Sequence, residues 1–319
     1  MIISQTPLRI SFLGGNTDFP EYYEKYGGVV LTTSIDKYIY CIVKERFDSL
    51  IRVKYSIQES VNSVDELKHE LVRESMRMLG VKPGIEIAFL SDIPGEGSGL
   101  GSSSSVTVGL LIALHRYVGE TVSSEQIIKE ACEIEINILG KRIGVQDQHI
   151  ATLGGLREIR FPKGGHIIEL KNGNRDLLNN SLMLFHTGIS RSSTDILSTI
   201  NLDKNVLDHN KNLAELGILA IKDGNIQKLG ELLDEYWQFK KQLSDKISNP
   251  EIDDMYIKAI SAGAYGGKIA GAGGGGFLML IVPPEKRHNV RNVLLKYKEL
   301  PVRIGRDGSK IIFDIRQYD

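Results

Sequence analysis

The stretch Pro94-Gly95-Glu96-Gly97-Ser98-Gly99-Leu100-Gly101-Ser102-Ser103-Ser104-Ser105 is the part of the chain that decides the fold. Glycines alternate at 97, 99 and 101, so the backbone there can approach a ligand with no side chain in the way. Four serines follow, and then an apolar run, Val106 to Leu114, that reads as a buried helix. A β-prone segment, Ile85 to Leu90, comes before the loop. The first amides of a helix have no internal partner, and its dipole favours negative charge at that end. A glycine loop feeding such an end is an anion site, most often for phosphate. The hydroxyls add donors and one candidate metal ligand. A flexible Gly/Ser linker has a similar composition, but the strand before and the helix after argue against one.

Two familiar phosphate loops are excluded. A Walker loop needs Gly-Lys followed by Ser or Thr, and Gly267-Lys268 is followed by Ile269. Gly271, Gly273 and Gly276 fit the dinucleotide spacing, but Phe277 to Val282 after them is a strand pattern where that fingerprint needs a helix.

Upstream, Leu8, Ile10 and Phe12 alternate with Arg9 and Ser11, which predicts a strand with one apolar face. Arg9 points off that face, a poor place for an arginine unless an anion waits there. Gly14-Gly15-Asn16-Thr17-Asp18 then breaks the strand with turn-forming residues. Downstream, Ser123 and Gln126 form a capping-box pattern. The helix they open carries a stripe of Ile127, Ile128, Ala131, Ile134, Ile138 and Leu139, and Glu135 falls inside the stripe. A buried carboxylate needs a cation or several donors, so either a metal ion or a buried Lys or Arg is expected beside it. Gly140 to His149 reads as a polar loop holding Asp147, and His149 as a structural histidine. Other predicted helices cover Asp65 to Leu79, Asp195 to Ile200, Asn205 to Asp223, Ile226 to Lys246, Glu251 to Ala262 and Glu285 to Tyr297.

The chain has 319 residues, enough for two domains, with a net charge of −1, 41% hydrophobic and 25% charged residues. No basic field points to nucleic acid or an anionic membrane. Cys41 and Cys132 sit in apolar stretches and read as core residues in a reducing compartment. With no leader pattern and no long apolar run, the expected location is the cytoplasm. Lys171 to Asn180 is the expected linker, dividing an N-terminal domain, 1–172, from a C-terminal one, 173–319. Strands at Val302 to Gly305 and Ile311 to Ile315 are expected to complete the second, α+β domain. The tract Gly267 to Phe277 is too rich in glycine to serve stability. Close approach to a ligand or to the first glycine loop would account for it.

Three stretches taken together, Pro7 to Asp18, Pro94 to Ser105 and Gly267 to Phe277, resemble the motifs of the GHMP kinases in their order and span nearly the whole chain. The wording of Thr17 to Tyr40 and His186 to Leu197 is similar to a branch that phosphorylates the anomeric oxygen of a sugar phosphate. That product leads to nucleotide-activated sugars for surface polysaccharide.

The resemblance implies an α+β, two-domain GHMP kinase fold. Its N-terminal domain would resemble ribosomal protein S5 domain 2 and its C-terminal domain would be ferredoxin-like, with the active site in the cleft between them. ATP would lie along Pro94, Gly95, Gly97, Ser98, Gly99, Leu100, Gly101, Ser102, Ser103 and Ser104. Ser103 and Glu135 would hold Mg²⁺. Asp147 would face the nucleophilic hydroxyl, as a base or as a fixed charge, with Arg9 beside it. Gly15, Asn16, Thr17 and Asp18 would line the sugar. Gly15 and Asn16 stand where galactokinases have Glu and His, which removes sugar contacts and opens space for a larger substrate. Lys141, Arg142 and Arg191 are candidates for the substrate's own phosphate, arginine being suited to bidentate phosphate contacts. Gly271, Gly273, Gly274 and Gly275 would form the structural glycine motif.

The expected partners are ATP and a small sugar phosphate, with monomer and homodimer both open. Rival readings are a fucokinase, galactokinase or mevalonate kinase of the same class, or a non-catalytic ATP/sugar sensor on the same fold. A binder has no need of Asp147, Glu135, Ser103 and Arg9 together.

Overall fold

A computed structural model describes residues 1–93, 97–162, 175–190 and 203–315, together with the backbone of 168–171. The chain runs β1 (Ile2–Leu13), α1 (Pro20–Tyr26), β2 (Gly28–Glu45), β3 (Ile51–Lys54), β4 (Gln58–Val61), α2 (Glu70–Met78), β5 (Ile85–Ser91), α3 (Ser102–Val118), α4 (Ser124–Cys132), α5 (Gln146–Leu153), β6 (Leu156–Phe161) and β7 (Ile168–Lys171). It continues through α6 (Arg175–Ser181), β8 (Leu182–His186), α7 (Lys204–Lys222), α8 (Ile226–Lys241), α9 (Pro250–Ser261), β9 (Gly266–Ile269), β10 (Phe277–Ile281), α10 (Arg287–Val293) and β11 (Lys310–Asp314).

An eight-stranded sheet runs β11-β1-β2-β5-β3-β4, with β6 and β7 branching from β2. The 18 residues of β2 serve two neighbours on one side: Gly28 to Thr33 pair with β6, and Ile39 to Glu45 with β5. Strand β1 lies along the other side, and its register against β2 shifts between Pro7 and Arg9. Such a bulge re-aims the side chain next to it. A second, antiparallel sheet runs β8-β10-β9. Among the described residues no helix is long and apolar enough to cross a membrane.

One apolar core spans both units. Leu8, Ile10 and Phe12 of β1 share it with Leu213 of α7, Leu232 and Tyr236 of α8 and Met279 of β10. The sheet and α7–α8 therefore bury a common apolar face, the main driving force for joining the units. Helix α3 is covered nearly all round, and Gly109 lets it press on β1, where an added Cβ would lie 2.5 Å from Thr6 Oγ1.

Several expected elements are revised. The segment 65–79 is a short 3₁₀ turn, Val64–Glu66, followed by α2, whose N-cap is His69. The expected linker is helical from Arg175. The segment 285–297 holds a 3₁₀ turn and the seven-residue α10. In 302–305 only a bridge between Ile304 and Ile35 forms. Strand β11 does not join the second sheet: it pairs antiparallel with β1 at the edge of the first, a non-local partnership that local pattern cannot reveal. The expected helix at 195–200 lies outside the described residues.

Candidate active site

The glycine loop adopts the backbone its composition predicts. Gly97, Gly99 and Gly101 have φ of 71°, 74° and 77°, the left-handed region that favours glycine. Gly101 is the N-cap of α3, so Ser102, Ser103 and Ser104 form the first turn. The Ser98 and Ser102 hydroxyls are hydrogen-bonded at 3.2 Å, and the Leu100 amide donates to Ser98 Oγ. Pro94 and Gly95 lie outside the described residues.

The second glycine tract packs on this loop. A Cβ on Gly99 would lie 2.4 Å from the Ala270 carbonyl oxygen, and one on Gly271 2.9 Å from Gly99 Cα. Gly273 presses on Ile247 and Gly275 on Ile189, while the Gly274 amide donates to the Ile247 carbonyl at 2.6 Å. The density of glycine is thus explained by backbone-on-backbone packing. Residues 97–101 are clamped between the tract and β1.

Arg9 ties three parts together. Its Nη1 donates to the Gly99 carbonyl at 2.7 Å, while Nε and Nη2 donate to the two Asp147 oxygens at 2.6 and 2.5 Å. Its backbone amide donates to the Leu100 carbonyl. The bidentate pair fixes the carboxylate plane as well as its charge.

Asp147 sits in the first turn of α5, not in the polar loop expected for 140–149. The helix has no side-chain cap and opens on Gln146 and Asp147, so its start carries no sequence signal. His149 is 3% exposed; its Nδ1–H donates to the Val145 carbonyl, and burial lowers its pKa to about 4. It stays neutral and structural, as expected.

Glu135 is fully buried, in a six-residue π-helical stretch, Glu133–Ile138, that extends α4. Ser103 Oγ donates to Oε1 at 2.8 Å and Gln148 Nε2 to Oε2 at 2.7 Å. No Lys or Arg forms an ion pair with it among the described residues; Lys141 acts only at longer range and is paired with Glu70 at 2.9 Å. Burial, the largest influence, raises its pKa against those donors. A carboxylate desolvated beside a serine hydroxyl, at the tip of a phosphate-type loop, is a donor set that suits a hard divalent cation. Among the described residues no group of three or more His, Cys, Asp or Glu gathers. Magnesium needs few protein oxygens, because water and phosphate supply the rest.

The turn after β1 is held tightly. Thr17 is not free for a ligand: its hydroxyl donates to the Gly14 and Val29 carbonyls and accepts from the Val29 amide. Asn16 takes φ 70°. Gly15 is wedged by Asn210 Nδ2, which donates to its carbonyl at 3.2 Å, and by the Tyr236 hydroxyl, 3.4 Å from where its Cβ would be. Part of the space expected from the glycine is therefore taken by Tyr236.

Asp18 is 1% exposed; its Oδ2 accepts from the Gln146 amide at 3.0 Å and its Oδ1 has no partner among the described residues. Burial first, then the nearby Asp147 charge, raises its pKa to about 6. Arg142 is exposed, and Arg191 lies outside the described residues. Gln148, Asn210 and Tyr236 carry no motif and were invisible in the sequence. Only their helical neighbours on α5, α7 and α8 bring them here.

Comparison with known proteins agrees with this architecture. Residues 65–155 match the model for the GHMP kinases N terminal domain, and 218–299 that for GHMP kinases C terminal. The chain is 32% identical to a D-glycero-alpha-D-manno-heptose 7-phosphate kinase of Campylobacter jejuni, over 92% of this chain and 93% of that one. It is 27% identical to a mevalonate kinase of Saccharolobus solfataricus, over 86% and 87%. Among solved structures it resembles a D-glycero-D-manno-heptose 1-phosphate kinase from Bacteroides thetaiotaomicron. That pair has a TM-score of 0.81 at 26% identity, over 99% and 100% of the two chains. Matches to both family models, and a relative 32% identical along nearly its whole length, establish that the chain belongs to the GHMP kinases.

Proposed function

We propose that this protein transfers the γ-phosphate of ATP to the anomeric hydroxyl of D-glycero-α-D-manno-heptose 7-phosphate, giving ADP and the 1,7-bisphosphate for nucleotide-activated heptose. The observation that carries the reading is the Arg9 guanidinium, hydrogen-bonded at once to the phosphate-loop carbonyl of Gly99 and to Asp147. An acid fixed at the end of a phosphate loop suits transfer to a hydroxyl. The similarity to the Campylobacter heptose 7-phosphate kinase supports the acceptor.

Phosphoryl transfer asks mainly for alignment and neutralised charge. The α3 amides and the serines of the loop hold the triphosphate. Ser103 and Glu135 would hold Mg²⁺, which when bound would neutralise phosphate charge. Asp147 takes the proton leaving the acceptor oxygen, or acts as a fixed charge beside it, as the new O–P bond forms and the bond to ADP breaks. Arg9 orients Asp147 and stabilises the charge that develops. An anomeric hydroxyl is more acidic than an ordinary alcohol, so a weak base suffices. Asp18, with its unpaired Oδ1, accepts from sugar hydroxyls. On this reading the chain divides into units 1–172 and 173–319, with β11 returning to the sheet of the first.

ADP release over a panel of heptose 7-phosphate, heptose 1-phosphate, unphosphorylated heptose, fucose, galactose and mevalonate tests the reading. Turnover is expected with heptose 7-phosphate. Preference for another acceptor would reassign the substrate, and silence across the panel despite ATP binding would return the chain to a sensor.

A further inference from the structure

Lys268 is the one residue of the second glycine tract with a long charged side chain, and the kinase reading gives it no work. It lies in β9, two residues before Ala270, whose carbonyl abuts Gly99. It is 2% exposed. Its Nζ lies over the Tyr236 ring, 4.6 Å from the centroid. Among the described residues no carboxylate, carbonyl or hydroxyl accepts from it. Neighbouring Lys240 differs, donating to the Gly271 carbonyl at 2.6 Å. Burial first, and then the cations Lys240 and Arg9, hold its pKa well below the ordinary lysine value.

A charged lysine is costly at such a position. A desolvated ammonium loses its water, and the face of an aromatic ring replaces only part of that. Two further cations add repulsion. The surroundings connect it to both halves of the reaction. The ring it covers reaches the Gly15 turn through the Tyr236 hydroxyl, and its strand leads to the clamp on the phosphate loop. An anion with several acceptor oxygens would satisfy the ammonium and offset its repulsion from Arg9.

We propose that Lys268 is an anion seat of the transfer site, its Nζ donating to a phosphate oxygen of a bound reactant. The inference rests on the kinase reading and adds a binding residue to it. Two sources offer that chemistry: the phosphate ester of the acceptor and the terminal phosphate of the nucleotide.

Lys268→Met and Lys268→Arg are compared with the parent by calorimetric titration and by thermal melting without ligand. The ligands are the non-hydrolysable β,γ-imido analogue of ATP with magnesium chloride, heptose 7-phosphate, and unphosphorylated heptose. The Met variant is expected to lose about tenfold or more in affinity for one phosphate ligand, as for a charge-assisted hydrogen bond. It should bind unphosphorylated heptose as the parent does and melt no lower, and Arg should restore part of the loss. Loss confined to heptose 7-phosphate assigns the seat to the acceptor; loss confined to the analogue assigns it to the nucleotide. Unchanged affinity for both phosphate ligands overturns the proposal. So does a lower melting temperature with equal loss for all three ligands, which would mark Lys268 as structural. A parent that ignores heptose 7-phosphate yet binds the analogue through Lys268 would refute the acceptor and leave this inference standing.

Discussion

Arg9 and Asp147 face each other through two parallel hydrogen bonds of 2.6 and 2.5 Å, although 138 residues of chain separate them. Asp147→Asn keeps the shape and removes both the charge and the proton acceptor. Turnover should fall about a thousandfold or more, in the range typical of general-base and electrostatic contributions combined. Affinity for the ATP analogue should stay within a few-fold. ADP release and calorimetry check this, and retained turnover would remove Asp147 from the chemistry.

Glu135→Gln removes the charge from the buried carboxylate that Ser103 and Gln148 hold at 2.8 and 2.7 Å. If that carboxylate binds Mg²⁺, half-saturation should need about tenfold more magnesium, since a neutral amide is the poorer ligand for a hard cation. A magnesium titration at saturating ATP reads this. An unchanged curve would leave Glu135 as a structural acid.

Gly144→Ala tests the Asp18 seat from behind. A Cβ there would lie 2.0 Å from Asp18 Oδ2, so the carboxylate must move. Overpacking of this kind costs about 1–3 kcal/mol. The acceptor KM should rise several-fold with the ATP KM unchanged. Equal KM values for both substrates in the variant and the parent would separate Asp18 from the acceptor.

Asp18 also makes stability depend on pH. Its pKa is about 6 in the folded protein against 3.8 ordinarily, because burial disfavours the charge. The folded state holds the proton more tightly than the unfolded chain, so stability falls as pH rises from about 4 through about 6. The loss is on the order of 3 kcal/mol and is complete above that window. Asp18→Asn should therefore be more stable than the parent at pH 7.5 by up to about that amount, with the difference shrinking toward pH 4. Denaturant melts at both values decide it; a difference that does not change with pH would show that Asp18 titrates alike folded and unfolded.

Much of this site was legible because its signals are local. Alternation turned Arg9 off the apolar face of β1, and the helical stripe buried Glu135. The glycine loop announced the start of α3. What escaped depends on distant chain. Helix α5 opens without a cap, so Asp147 read as a loop residue although its helix is what aims it. Thr17 looked like a ligand contact, yet the carbonyls of Gly14 and Val29 consume its hydroxyl. The π-helical turn at Glu133–Ile138 carries no composition of its own. Asn210, Tyr236 and Lys268 reach the site only because α7, α8 and β9 fold back on the first sheet.

The pairing of β11 with β1 has a consequence for biogenesis. Residues 2–5 leave the ribosome well ahead of their partners, 310–314. Until β11 emerges the outer edge of β1 is bare, a row of unsatisfied amides and carbonyls open to other chains. The nascent chain thus carries an open strand edge until β11 has been made, and a chaperone that shields this edge in the interval would raise the yield of native protein.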